Sequence, residues 1–194
     1  MAEDEFPVAE TCPRVGVFLC ECGGMIGGVI DVDLLAKDIR QLPGVVFVHH
    51  EAYPCSKDGQ ERLRQAIQDH DLERVLVAGC APRLVEKLFY RALEGTAVEP
   101  GYLMVVNIRE QSAQIYPNDP QTALRKALSI VAMGVARLNT TQVAAPHLGR
   151  VQKSALVIGS GLSGLSVALT LAGRAIPVTV IEPGEKVGEA LPDL

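Results

Sequence analysis

The sequence predicts an α/β protein in which an open parallel sheet carries helices on both faces and is followed by an incomplete Rossmann-like βαβ unit. From residue 14 onward, strand-like and helix-like segments alternate with short joins, the order that builds parallel sheets through right-handed crossovers. The chain has 48% hydrophobic residues but only 4% aromatic residues and no Trp. Its core must therefore be built from Val, Leu, Ile and Ala, as is typical of parallel sheets.

Four strand-helix pairs are predicted in the first part of the chain. Pro43-Gly44 ends the first helix, and Asp58 with Glu61 resembles a capping box at the start of the second. Pro82 suits the first turn of the third helix, and Asp119-Pro120 opens the fourth and longest. The predicted strands span residues 14–20, 45–53, 74–79 and 102–108, and the predicted helices span 33–42, 58 to about 67, 82 to about 95, and 119–138.

A second, shorter unit is predicted after residue 153. It consists of a strand at 155–158, a glycine-rich turn, a helix to about 172 and a strand at 178–181. The segment before it mixes small and polar residues without periodicity, which predicts a linker. We therefore divide the chain into an N-terminal arm (1–13), a cysteine-containing α/β domain (14–140), a linker (141–153), and a partial dinucleotide-binding βαβ unit with a tail (154–194).

Composition and charge argue against several classes of protein. The 18 Lys and Arg against 23 Asp and Glu give a net charge of −5 without a basic cluster, so nucleic acid is not an expected partner. The acidic start, residues 1–5, is unlike a secretory or transit peptide, and we expect a cytoplasmic protein. Residues 154–173 lack charge over a length that could span a membrane, but they are rich in Gly and Ser. No membrane span is expected.

Four of the five cysteines follow predicted strands. Cys20 and Cys22 follow the first strand, Cys55 the second and Cys80 the third. Because the carboxyl ends of parallel strands share one edge of the sheet, these thiols are expected to converge. Four thiolates suit a [4Fe-4S] cluster or a tetrahedral zinc, and the alternative is that they are ordinary buried thiols. Cys12, in the polar N-terminal arm, is expected to be a free thiol.

A glycine fingerprint follows the strand at 155–158. Gly159 is expected to make the turn, Gly161 to let a pyrophosphate approach, and Gly164 to let helix and strand pack closely. Glu182 ends the next strand at a spacing typical of an acid that binds a ribose hydroxyl. The pattern predicts a dinucleotide-binding motif, with a glycine-rich packing turn as the alternative. Since half of the binding fold is absent, a bound cofactor is expected to need a second chain.

Five motifs between residues 14 and 186 resemble the A subunit of heterodisulfide reductase. The fifth is the glycine fingerprint, and the others are Cys-Glu-Cys-Gly-Gly at 20–24, Cys-Ser-Lys-Asp-Gly-Gln at 55–60, Cys-Ala-Pro-Arg at 80–83 and Asn-Ile-Arg-Glu-Gln at 107–111. The resemblance implies a flavoprotein with iron-sulfur clusters that uses FAD to split or relay electrons among ferredoxin-like and hydrogenase or dehydrogenase partners. It supports a cluster at the four strand-end cysteines.

The chain departs from this family at two places. Ser112 stands where the family has Cys after the Asn-Ile-Arg-Glu-Gln motif, so a cluster that uses that Cys would be incomplete or ligated differently here. Gly188-Glu189 stands where the family has a Gly-Gly pair. Arg109 and Glu110 are expected at the edge of the sheet that carries the cysteines. Arg109 would there set the charge of the cluster or dock a partner; the alternative is a local salt bridge of little energetic weight.

The function predicted from these features is that of an electron-transfer subunit in a heterodisulfide reductase-like oxidoreductase complex. It would relay electrons between an iron-sulfur cluster, FAD and partner subunits, which include iron-sulfur proteins and a chain that completes the flavin domain. Activity of the chain alone is not expected. One alternative is a non-catalytic docking subunit that binds zinc or no metal and whose βαβ fragment completes a partner. Another is a nucleotide-binding regulator without redox chemistry.

Overall fold

The computed structural model describes residues 12–144, 149 and 152–188. It divides into two compact units, Met1–Ala144 and Ala145–Leu194. The predicted fold class is confirmed: the first unit contains a four-stranded parallel sheet, and the second contains a two-stranded parallel sheet. The strands of the first unit are β1 (Val15–Cys20), β2 (Val45–Glu51), β3 (Arg74–Gly79) and β4 (Leu103–Asn107).

Helices follow these strands, and all but the third begin at side-chain caps that satisfy free backbone N–H groups. Asp31 accepts from the N–H of Leu34, and Asp119 accepts from the N–H of Thr122. The predicted capping box at Asp58 is wrong, because Ser56 caps that helix and Asp58 lies inside its first turn. The helices are α1 (Val32–Ile39), α2 (Lys57–Asp69), α3 (Pro82–Ala92) and α4 (Pro120–Thr140).

The sheet of the first unit has an apolar core on each face. Leu19 points to the face covered by α1 and α4, where it packs in one buried cluster with Leu35 and Val131. Its neighbour Phe18 points to the opposite face, where it packs with Phe89 of α3 in a second cluster that also includes α2. Helices therefore cover both faces, as predicted.

The strand order β2-β1-β3-β4 places a topological switch point between β1 and β3. The helices that follow these two strands, α1 and α3, leave the sheet on opposite faces. A crevice therefore opens at the carboxyl ends of β1 and β3, which is where open α/β sheets bind their ligands.

The connection after β4 begins with a single π-helical turn, Arg109–Ala113. Backbone hydrogen bonds of 3.0 Å from Ala113 to Ile108 and 2.9 Å from Gln114 to Arg109 close its five-residue spacing. Such turns are rare and frequently occur at functional sites.

In the second unit, β5 (Ala155–Ile158) pairs in parallel with β6 (Val178–Ile181), and α5 (Leu162–Ala172) connects them. The uncharged segment at 154–173 thus forms a strand, a turn and a helix. Within the described part of the chain, no helix has both the length and the apolar character to cross a membrane.

Candidate metal centre and dinucleotide-binding turn

The four strand-end cysteines lie at the same edge of the first sheet. Cys20 is the last residue of β1, Cys22 begins a short 3-10 turn after it, Cys55 precedes α2 and Cys80 directly follows β3. Cys20, Cys55 and Cys80 line one small cavity of about 10 Å³, whose other walls include the apolar side chain of Phe89. All four are free thiols.

Burial governs the acid-base properties of two of these thiols. It raises the pKa of Cys20 to about 12. A hydrogen bond from the Cys22 backbone opposes this rise, and negative charge on Cys22, Cys55 and Cys80 adds to it. Burial also raises the pKa of Cys80, while the positive charge of Arg109 lowers it. Because a bound metal favours the thiolate form, it would offset this cost of ionising buried thiols.

The donor set fits an iron-sulfur cluster in chemistry, since four thiolates are its usual ligands. Within the described residues, no group of three or more His, Cys, Asp or Glu side chains is arranged to hold a metal ion as it stands. The small cavity is lined by three of these cysteines, and Cys22 is not among its lining residues. Binding of a cluster would therefore require the cysteine side chains to rearrange.

The turn that carries Cys22 has an unusual backbone. Cys22 has φ 54° and is followed by Gly23 with φ 59° and Gly24 with φ 95°. A positive φ is uncommon in a residue that has a Cβ, and such strain concentrates at functional sites. The φ of Gly23 lies in the left-handed region that favours glycine, and a Cβ there would also displace the side chain of Tyr53.

The π-helical turn brings a cation to this edge. Arg109 Nη1 donates a 3.2 Å hydrogen bond to Cys22 Sγ, and its Nη2 donates a 2.6 Å bond to Glu110 Oε1. These two bonds raise the pKa of Arg109, so the guanidinium stays charged. Burial alone would raise the pKa of Glu110, but the hydrogen bond from Arg109 produces a net lowering. Arg109 therefore forms the local salt bridge that was one alternative from the sequence, and it also contacts a cysteine sulfur.

Ser112 faces a different part of the molecule. Its side chain is fully buried, and its hydroxyl donates a 2.6 Å hydrogen bond to the carbonyl of Ala123 in α4. Position 112 thus contributes to packing between the π-helical turn and α4. The four strand-end cysteines would supply four sulfur ligands without a cysteine at position 112.

His50, near the end of β2, is fully engaged by carboxylates. Its Nδ1 lies 2.9 Å from Glu21 Oε1, and its Nε2 lies 3.1 Å from Asp33 Oδ1. Both ring nitrogens are therefore occupied, and the ring serves the fold rather than offering a free nitrogen to a metal.

The three glycines of the turn after β5 are needed for different reasons. Gly159 has φ 94°, a left-handed conformation that favours glycine. A Cβ at Gly164 would collide with the carbonyl oxygen of Gly159, so α5 could not approach β5 as closely. Gly161 has an ordinary extended conformation and open space where a Cβ would be. Neither backbone strain nor packing explains this middle glycine.

Glu182 lies over the same turn. One of its carboxylate oxygens accepts a 2.7 Å hydrogen bond from the N–H of Ser160 and a second bond from the Ser160 hydroxyl, and the other accepts a 2.9 Å bond from Gly184. Chiefly because of the Ser160 hydroxyl, the pKa of Glu182 is lowered. A role for Ser160 was not predicted from the sequence. The one feature that could have indicated it is that a small polar residue lies between the first two glycines of the motif.

Comparison with known proteins finds relatives for both parts of the chain. Residues 154–191 match the family described as FAD binding domain. The chain is 38% identical to the A subunit of the ferredoxin/F420H2-dependent CoB-CoM heterodisulfide reductase of Methanosarcina acetivorans, over 90% of its own length and 22% of that protein.

Two further relatives show the same relationship. They are the iron-sulfur A subunit of the CoB-CoM heterodisulfide reductase of Methanocaldococcus jannaschii and the A subunit of the H2:CoB-CoM heterodisulfide, ferredoxin reductase of Methanothermobacter marburgensis. Each is 35% identical over 94% of the chain and 28% of its own length. The resemblance inferred from the motifs is confirmed. The chain spans about a quarter of the length of these relatives.

Proposed function

We propose that this chain, which is homologous to about a quarter of the heterodisulfide reductase A subunit, acts as an electron-transfer unit of an oxidoreductase complex. It would hold a [4Fe-4S] cluster and relay electrons between that cluster, FAD and partner subunits. The observation that carries the proposal is the position of four thiols beside the switch point of the first sheet. One relative is named as an iron-sulfur protein of such a reductase, which supports it.

The proposed ligands of the cluster are Cys20, Cys22, Cys55 and Cys80. When bound, the cluster would supply a carrier of single electrons. The protein's part is to hold the sulfurs and set their surroundings.

The proposed FAD site is the turn between β5 and α5. Gly161 leaves room for the pyrophosphate, which would face the N-terminus of α5. Ser160 holds the carboxylate of Glu182, which would accept hydrogen bonds from a ribose. Gly159 and Gly164 shape the turn that brings these groups together.

Partner subunits are proposed from an apolar surface as well as from the relatives. The exposed face of the β5–β6 sheet carries Leu156, Ile158 and Ile181, whose exposed fractions are 58%, 76% and 49%. An uncovered apolar sheet is an aggregation hazard in water. We propose that a protein partner of the assembled complex covers this face.

Serine substitutions test the cluster proposal. Each of Cys20→Ser, Cys22→Ser, Cys55→Ser and Cys80→Ser should reduce the iron content of anaerobically prepared protein, because each removes one ligand. Cys12→Ser is the matched control, since Cys12 is exposed in the N-terminal arm, and it should retain the iron. Circular dichroism would verify that each variant is folded. If all five variants kept the iron content of the parent protein, the thiols would be core residues and the proposal would fail.

A further inference from the structure

We infer that Arg109, held in place by Glu110, is a positioning residue that sets the reduction potential of the cluster through the sulfur of Cys22. The inference rests on the proposed function, because it assumes that Cys22 is a ligand. It goes beyond that function by assigning control of the potential to one side chain.

The first support is geometric. The π-helical turn places Arg109 so that Nη1 lies 3.2 Å from Cys22 Sγ, across 87 residues of sequence. Within the described part of the chain, no other side chain donates a hydrogen bond to a cysteine sulfur. The Arg109 side chain is only 17% exposed, so solvent screens this contact weakly.

The second support is the orientation of the ion pair. Nε and Nη2 of Arg109 both donate to Oε1 of Glu110, at 3.1 and 2.6 Å. Glu110 is itself anchored, because its backbone N–H donates a 3.0 Å bond to the side chain of Asn107. The guanidinium is therefore fixed by one edge to Glu110, and its remaining nitrogen, Nη1, is directed at the sulfur.

This arrangement has a defined electrostatic effect. When a low-potential one-electron donor, such as a ferredoxin, reduces the cluster, the cluster and its four thiolates gain one negative charge, and no bond forms or breaks at Arg109. A nearby cation and a hydrogen bond to sulfur both stabilise the more negative state. Loss of Arg109 should therefore make reduction harder and lower the midpoint potential.

The test is a mediated redox titration of the full chain, followed by electron paramagnetic resonance, on the parent protein and its variants. Arg109→Met should change the equilibrium constant for reduction at least tenfold, a fall in midpoint potential of about 59 mV. It should also shift the Fe–S(Cys) stretching bands in the resonance Raman spectrum. Arg83→Met is the matched control, since Arg83 is a cation three residues from Cys80 in sequence, and it should leave both readouts unchanged.

Arg109→Gln, which is neutral but keeps a hydrogen-bond donor, provides a second variant in case Arg109→Met does not retain the cluster. A smaller fall in potential supports the inference. A cluster that binds with an unchanged potential in these variants overturns the inference and leaves the proposed function standing. A parent protein that binds no iron-sulfur cluster overturns both.

Discussion

Substitution of the middle and last glycines of the turn after β5 should separate flavin binding from folding. In Gly161→Ala the added methyl meets no heavy atom within 4 Å, and φ of −68° suits alanine. The lower entropy of the unfolded chain favours the variant by about 0.4–1 kcal/mol, whereas alanine is a poorer N-cap than glycine by about 0.5–1 kcal/mol. These effects nearly cancel, so the free energy of unfolding should be almost unchanged.

Gly161→Ala should nevertheless reduce flavin binding. The methyl would occupy space that the pyrophosphate needs, and loss of even one charge-assisted hydrogen bond costs about 1.5–3 kcal/mol. FAD affinity should fall at least tenfold, since about 1.4 kcal/mol corresponds to a factor of ten. The assay is the FAD content and FAD affinity of the chain purified with its accompanying subunits, together with its thermal denaturation.

Gly164→Ala is the contrasting variant. Its methyl collides with the backbone oxygen of Gly159, which can move only if the turn or α5 moves. Overpacking of this kind costs about 1–3 kcal/mol, and the gain of about 1 kcal/mol in helix propensity offsets only part of it. The variant should therefore be destabilised. Retention of full FAD affinity by Gly161→Ala would refute the assignment of this turn to the pyrophosphate.

Two further predictions concern the second unit. Ser160→Ala should raise the pKa of Glu182 toward its ordinary range, because the hydroxyl bond that lowers it is lost. A lowered carboxyl pKa stabilises the native state at pH values above the unfolded-state pKa, and this stabilisation disappears as pH falls through the native pKa. The variant should therefore lose part of this pH-dependent stabilisation. NMR titration of the carboxyl measures the shift, exposed Ser163→Ala is the control, and an unchanged pKa would contradict the assigned bond. Ile158→Lys should leave the chain folded but abolish co-purification with partners. The control is Leu84→Lys in the first unit, where the apolar side chain is 57% exposed, and it should leave co-purification unchanged. Equal co-purification of the two variants would argue against a partner on the β5–β6 face.

Much of the fold could be predicted from the sequence because its signals are local. Strands β3, β5 and β6 begin and end at the predicted residues, 74–79, 155–158 and 178–181. The short apolar runs bounded by turn residues account for this agreement. The shared edge of Cys20 and Cys80 also followed from the sequence, because the carboxyl ends of parallel strands lie together.

The π-helical turn could not be predicted in this way. Residues 109–113 contain no Gly or Pro, and Ser112 and Ala113 pack against the following helix α4, a tertiary contact that local sequence signals do not reveal. The contact between Arg109 and Cys22 follows from that turn, so sequence placed Arg109 near the thiols without identifying its partner. The cap of α2 was missed for a different reason. Ser56 and Asp58 are both good cap residues, and only the extended backbone at Ser56 distinguishes them.

The most direct test of the central claim is the metal content of the full chain purified without oxygen. Iron, zinc and acid-labile sulfide would be measured on the same sample, and the reduced protein would be examined by electron paramagnetic resonance. The proposal predicts about four iron and four sulfide per chain, as expected for a cluster with four thiolate ligands. Stoichiometric zinc without sulfide, or four metal-free thiols, would contradict it.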